Sequence, residues 1–286
     1  RELPALAETA RRASEYGVDA ILVQDWGVYE TLRAVIPDVP LHASTQMALH
    51  TLSGVEEAAR LGMTRAVLAR ELSGEEIREI AERAPIEIET FAHGALCMCY
   101  SGMCEMSAVI GGRSGNRGAC AQPCRLRYGW HGKADANPLS LKDANLAAYA
   151  GEMAEMGVAC LKLEGRMKRP EYVAAVTGIY AALLRENRRP TAAERRDLEA
   201  AFSRSGFTDG YFKGKPDASM FGVRGEKTPE PKELFAHVRT EYERCEHRSI
   251  PVSMALCVRR GVPCRLTVRD GAGRSAESTG PVPEEA

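Results

Sequence analysis

Apolar residues near the start of the chain recur at helical spacing (Leu6, Ala10, Ala13, Tyr16) and then run together in GVDAILVQD. The same change of period repeats three times. VYETLRAVI precedes VPLHAST, SGVEEAARLG precedes TRAVLAR, and SGEEIREIAERA precedes IEIETFAHG. Helices of about ten residues alternating with strands of about five predict a parallel sheet covered by helices. Units of about 20 to 25 residues suit a (β/α)8 barrel. A further unit spans NPLSLKDANLAAYAGEMAEMGVACLKLEG, with Leu146, Tyr149 and Met153 on one helix face and VACLKLEG as its strand. A long helix opens near Pro170, a favourable first-turn residue.

The pattern therefore predicts an α/β, TIM-like barrel over residues 1–190. It is N-terminally incomplete, because about six strands stand where a barrel needs eight. The opening at Arg1, inside what reads as a helix, fits a fragment of a longer chain. Residues 191–247 begin with a charged helix, TAAERRDLEAAFSR, and then lose any period amid frequent Gly and Pro. They predict an extended tail and linker packed on the barrel. Residues 248–286 alternate as strands do, with DGAG as a hairpin-type turn, and predict the start of a small β domain.

Composition narrows the function classes. The 286 residues are 44% hydrophobic and 27% charged, which is ordinary for a globular protein. A formal net charge of −1 gives no global basic field, so any RNA contact has to use local patches. No apolar run approaches the ~18 to 20 residues of a membrane helix, and RELPALAETARRASEYG is no signal peptide. A cytoplasmic location is expected. Nine cysteines are too few for a disulfide scaffold of this length, so reduced thiols are the expectation.

Five of those cysteines fall in one stretch, CMCYSGMCEMSAVIGGRSGNRGACAQPC, directly after the strand IEIETFAH. In a barrel that position is the C-terminal mouth, where chemistry is built. Cys97, Cys104, Cys120 and Cys124 are spaced C-x6-C-x15-C-x3-C, with Cys99 extra. Structural zinc sites pair their ligands more closely, and only Cys120 and Cys124 approach that spacing. An iron–sulfur cluster needs four thiolates converging from a flexible loop, and five glycines lie between Cys97 and Cys124. Arg113, Arg117, Arg125 and Arg127 flank the stretch and suit an anionic core. Spacing alone leaves three readings open: a cluster, a zinc site, or reactive or merely buried thiols. Cys160 is a substitute ligand or a small buried strand residue; Cys245, Cys257 and Cys264 read as core thiols.

The stretch EIETFAHGALCMCYSGMCEMS resembles the signature of peptidase family U32, the collagenase-like proteins. The resemblance continues through GNRGACAQPCR, SLKDANL, LKLEGRMKRPEYVA, SGFTDGYF and FGVRG, and covers most of residues 15 to 235. The run from IPVSMALCV is similar to the start of the domain appended to the longer bacterial members. Those members include an rRNA cytidine hydroxylase; other relatives hydroxylate tRNA uridine or act in oxygen-independent ubiquinone synthesis. The resemblance implies a [4Fe-4S] cluster on Cys97, Cys104, Cys120 and Cys124, with zinc as the alternative. The family's usual opening strand, with its Pro-Ala-Gly turn, is absent.

Other candidate residues follow from the strands. Lys162, Glu164 and Arg166 alternate on one face, so they are candidates for catalysis or substrate contact, against a bland salt-bridge row. Arg166, Lys168 and Arg169 suit a phosphate or carboxylate. His93 and Glu89, four apart, are expected on one face, His93 as acid–base group, thiolate positioner, metal ligand or structural histidine. His42, Ser44 and Gln46 end another strand, and Asp25 a third, as possible pocket lining. Tyr100 is a base-stacking or a core aromatic.

Two function classes follow. The first is RNA modification: hydroxylation of a pyrimidine base held at the barrel mouth, with a small oxygen donor and with Arg113, Arg117, Arg125, Arg166 and Lys168 on phosphates. The second is a peptidase, for which Cys99 near His93 is the single thiol candidate, since no H-E-x-x-H or G-x-S-x-G motif is present. An accessory protein with a structural cluster is a third reading. No membrane partner is expected, and the sequence names no protein partner.

Overall fold

A computed structural model of the chain describes residues 2–165, 168–223, 230–244 and 250–283. The predicted alternation is present: α1 (Leu3–Glu15), β1 (Ile21–Val23), α2 (Trp26–Val35), β2 (Leu41–Ala43), α3 (Leu52–Arg60), β3 (Arg65–Val67), α4 (Gly74–Arg83) and β4 (Glu87–Ala95). Local chemistry sets the helix starts. Asp25, Thr51 and Ser73 each accept a backbone N–H of the first turn, and Ser73 forms a capping box with Glu76. After the cysteine stretch, with its short α5 (Met106–Gly111), come β5 (Tyr128–Trp130), β6 (Lys133–Ala136), β7 (Asp143–Asn145), α6 (Ala150–Glu155), β8 (Cys160–Leu163), α7 (Pro170–Glu186), α8 (Ala192–Ala201), β9 (Phe207–Thr208) and α9 (Lys232–Arg244).

The fold class is α/β, with β1, β2, β3, β4 and β8 parallel. Two features depart from a plain (β/α)8 repeat. Among the described residues β1 pairs with β2 alone and β8 with β4 alone, so the sheet does not close. The end of β4 also takes an antiparallel neighbour, β7, which in turn pairs in parallel with β9. Within SLKDANL, Asp143–Asn145 is a strand that the sequence pattern did not single out. The segment 191–247 is likewise more than an extended tail, because β9 joins the main sheet and Phe235 of α9 enters the core.

The core lies between sheet and helices, with Val23, Leu41, Ile88 and Ala92 packing against Leu32, Val55, Ile80, Met153, Val176 and Leu183. One compact unit runs to Val238 and a second begins at Arg239. The second holds an antiparallel sheet of β10 (Val252–Arg259), β11 (Val262–Asp270) and β12 (Ser275–Thr279). The DGAG turn forms as expected, the Asp270 carboxylate accepting from the N–H groups of Ala272 and Arg274. Cys257 is exposed rather than a core thiol, since it faces Arg265 on the polar side of this sheet; Cys264 is half-buried, and Cys245 lies outside the described residues. No helix among the described residues is long and apolar enough to cross a membrane.

Candidate functional site

The cysteine stretch lies across the C-terminal ends of the first three parallel strands. Gln24, just after β1, donates to the Asn116 carbonyl. Gln46, beyond β2, donates to the Gly115 carbonyl at 3.3 Å and to Asn116 Oδ1 at 3.4 Å. Beyond β3, Glu71 accepts the Ser101 N–H at 2.7 Å, and Ser101 Oγ accepts the Arg70 N–H at 3.2 Å. Gly102 adopts φ +80°, and a Cβ there would lie 2.4 Å from the Gln46 carbonyl oxygen, so glycine alone allows this approach. Arg125 clamps the far end, donating to Ser140 Oγ at 3.1 Å, to Leu141 O at 2.5 Å and to Leu96 O at 2.5 Å. Its neighbours are thus loop carbonyls and a hydroxyl.

All five thiols of the stretch are reduced. Burial pushes the Cys124 thiol up; Arg125 opposes this, and Cys97, Cys120 and Cys104 add to it. Cys99 is pushed up by burial and then by Cys104 and Cys97. The position a Cβ on Gly115 would take is 3.7 Å from Cys120 Cβ and 4.0 Å from the Cys104 carbonyl. A Cβ there would make only ordinary contact with both. Cys97, Cys104, Cys120 and Cys124 feel one another's charge on a glycine-rich loop beside Arg125. Among the described residues no three His, Cys, Asp or Glu stand close enough to hold a single metal ion.

A charged network lines the inner face of the parallel sheet. Glu89, buried, accepts from Lys162 Nζ at 2.6 Å and Arg65 Nη1 at 3.4 Å, while Arg65 Nη2 bonds Glu87 at 2.6 Å. His42 pairs in register with Arg65, and burial followed by the Arg65 charge lowers its pKa. Cys160 adjoins Glu89, and burial pushes its thiol up. Arg70 lies over the Phe91 ring, 4.1 Å from its centroid.

His93 does not share this face, contrary to the expectation from period two. Against β8, Glu89 pairs with Cys160 and Phe91 with Lys162, but His93 pairs with Leu163. Ala92 is an extra residue, a β-bulge that turns the end of β4 over. His93 packs instead among Phe207, Tyr180 and Tyr172, with ring centroids 5.2, 5.7 and 6.3 Å away. Burial, with a smaller contribution from Lys168, lowers its pKa to about 3, so the ring is neutral. Tyr180 Oη is 3.4 Å from Nδ1, and the buried Nε2 has no hydrogen-bond partner. On the same side Asp143 pairs with Arg204, and burial raises its pKa.

The remaining candidates are dispersed. Glu164 lies one residue past β8, its N–H on the His93 carbonyl. Lys168 Nζ sits over the Phe202 ring, and Arg169 pairs with Glu171 and Glu230. Arg166 lies outside the described residues. Arg113 Nε donates to Ala119 O at 2.9 Å, and Arg117 forms an exposed pair with Glu2 at 2.8 Å. Asp25 and Ser44 cap turns. Tyr100 is 75% exposed, which removes the core alternative for it. Sequence reasoning missed Gln24, which holds the loop, and missed Arg70 and the pocket it lines. That pocket is small and is lined by Arg70, Phe91, Leu96, Tyr211 and Phe212 among others. Leu96 places it one residue from Cys97.

The model of peptidase family U32 matches residues 1–221, and the chain belongs to that family. It is 36% identical over 246 residues to a tRNA hydroxylation protein of Bacillus subtilis (strain 168), covering 79% of this chain and 58% of that protein. It is 41% identical over 202 residues to the 23S rRNA 5-hydroxycytidine synthase of Escherichia coli (strain K12), covering 68% of this chain and 30% of that protein. A collagenase of Porphyromonas gingivalis (strain ATCC BAA-308 / W83) is 33% identical over 228 residues, covering 71% of this chain and 54% of that protein. The chain thus spans roughly half or less of these relatives' length.

Proposed function

We propose that this chain is the catalytic part of an iron–sulfur RNA hydroxylase acting on a pyrimidine base. The observation that carries the reading is the glycine-rich loop of reduced thiols, seated over the ends of a parallel sheet beside a pocket that begins at Leu96. Cys97, Cys104, Cys120 and Cys124 would hold a [4Fe-4S] group, with Cys99 beside them. Such a group supplies one-electron chemistry or a coordination site for a small oxygen donor. The chain's own residues orient the base, exclude water and set the local charge. Glu89 and Lys162 would serve as an acid–base couple on the inner face, with Arg65 as the second ionic partner of Glu89. Exposed Tyr100, Met103 and Arg117 on the loop offer stacking and phosphate contacts to an unpaired RNA segment. On this reading the parallel strands belong to a (β/α)8 barrel whose mouth the loop covers, and work on RNA fits a cytoplasmic location.

The peptidase reading has no assembled nucleophile. Cys99 neighbours Cys97 and Cys104, whereas His93 is turned to the helix side and held neutral. The test compares nucleosides by mass spectrometry from cells lacking the gene, complemented with the natural gene or its Cys104→Ala form. Restored pyrimidine hydroxylation that Cys104→Ala abolishes, with about four irons per chain in anaerobically purified protein, is the expected result. Gelatin cleavage by iron-free protein would sink the reading.

A further inference from the structure

The antiparallel sheet of the second compact unit carries positive charge that its own carboxylates do not answer. Residues 250–283 hold five arginines and two carboxylates, in a chain whose formal net charge is −1. Asp270 is taken by Arg274 at 2.6 Å, across the turn from β11 to β12. Arg259, Arg260, Arg265 and Arg269 are exposed, and among the described residues their side chains form no ion pair or hydrogen bond. Register decides which side of the sheet β11 turns its arginines to. Met254 and Leu256 of β10 stand opposite Val268 and Leu266 of β11, so one face is apolar. The alternate residues form the other face. There Arg269 lies between Ser253 and Ser275, and Arg265 between Cys257 and Thr279. These neighbours are short, so the two guanidinium groups stand above them. Glu277, on the same face, is opposite Thr267, and its Oε1 accepts from Thr267 Oγ1 at 3.3 Å rather than from either arginine. Four residues of strand separate Arg265 from Arg269 by about 13 Å, so each is placed for an anion of its own. Arg259 ends β10 and Arg260 follows it, which extends the positive charge to the turn that opens β11.

We propose that this arginine-bearing face of the β10–β12 sheet is a second contact surface for RNA and holds the strand by its phosphates. The inference rests on the RNA reading above and adds to it a surface outside the thiol loop. Charge and donor geometry select the partner. Guanidinium forks match phosphate oxygens, and the hydroxyls of Ser253, Ser275 and Thr279 beside them add further donors. Residues 250–283 contain no aromatic side chain, so this face grips a backbone and has no platform on which to stack a base. It adds affinity and does not choose a sequence.

The test is fluorescence anisotropy of the full chain with a labelled single-stranded RNA over a series of salt concentrations. The double variant Arg265→Gln, Arg269→Gln is expected to bind at least about tenfold more weakly at the lowest salt. Its plot of log affinity against log salt is expected to be shallower by about 1.4, the counterions of two phosphate contacts. The double variant Arg265→Lys, Arg269→Lys keeps both charges and is expected to keep the natural slope. Both positions are exposed, so the unfolding curves of all three proteins should coincide. A Gln variant with the natural slope, or a Lys variant that loses it as the Gln variant does, overturns the assignment of this face and leaves the RNA reading in place. Polyglutamate that displaces the labelled RNA as well as unlabelled RNA does overturns RNA as the partner of this face. A natural protein that binds the RNA at no salt concentration overturns the surface and the proposed function together.

Discussion

The two sides of β4 bury ionisable groups in opposite ways. On the inner side Glu89 is buried between Lys162 at 2.6 Å and Arg65 at 3.4 Å. On the other side, one bulge later, His93 is buried among three aromatic rings with an unpartnered Nε2. Paired burial preserves a charge, and burial without an ionic partner removes it. One strand therefore carries a carboxylate with two ionic partners on one face and a neutral imidazole with none on the other. The helix side holds the bulge in place through Tyr180, which donates to the Ala92 carbonyl at 2.8 Å.

The largest effect expected from this contrast is on the inner face. Lys162→Met leaves the Glu89 carboxylate buried with only its longer contact to Arg65. Stability is expected to fall by about 3 to 5 kcal/mol in urea unfolding, with Lys162→Arg recovering most of it. A Lys162→Met protein as stable as the natural one would mean that the network is solvated and the contrast false.

The helix side makes a prediction in pH. His93 has its folded pKa lowered from 6.5 to about 3. Between those values the unfolded chain binds the extra proton, so this group's contribution is complete above pH 6.5 and is lost as pH falls. The expected slope is up to about 1.4 kcal/mol per pH unit. Asp143, whose pKa is raised by burial, acts with the opposite sign in the acid range, so the measurement is the difference between natural protein and His93→Phe. That difference should grow as pH drops below 6.5. Parallel stability curves for the two proteins would show that His93 is charged in the fold.

A smaller effect tests how the loop above the inner face is seated. Gly102→Ala combines a left-handed backbone with a Cβ 2.4 Å from the Gln46 carbonyl oxygen. A loss of about 1 to 3 kcal/mol is expected, with iron content falling alongside it. Unchanged stability and iron content would mean that the loop does not press on the turn after β2.

The elements that sequence revealed well are those whose signals are local. The change of apolar period placed most helices and parallel strands, and in the structure Asp25, Thr51, Ser73 and Thr191 cap helix starts. The grouping of the thiols over the strand ends also followed from loop position. Three features were hidden because they depend on distant partners. The bulge at Ala92 needs the register with β8, without which period two wrongly joins His93 to Glu89. The strand Asp143–Asn145 is too short and polar to signal itself and exists because β4 and β9 flank it. Arg70 looks like a surface strand end until Phe91 is seen beneath it.

The smallest expected effect on stability comes from outside both faces. Arg117 and Glu2 are paired at 2.8 Å, but their side chains are 70% and 75% exposed. Water and salt screen such a pair, so Arg117→Ala should leave the unfolding curve unchanged. The pair is also easily opened, which lets Arg117 exchange Glu2 for an RNA phosphate at little cost. If it does so, the plot of log affinity against log salt for a single-stranded RNA should become shallower by about 0.7 in Arg117→Ala, the counterions of one phosphate contact. Lys162→Met, on the buried inner face, should not change that slope, because a charge inside the sheet releases no counterion from the RNA backbone. An equal salt slope in natural protein and Arg117→Ala would remove Arg117 from the RNA path.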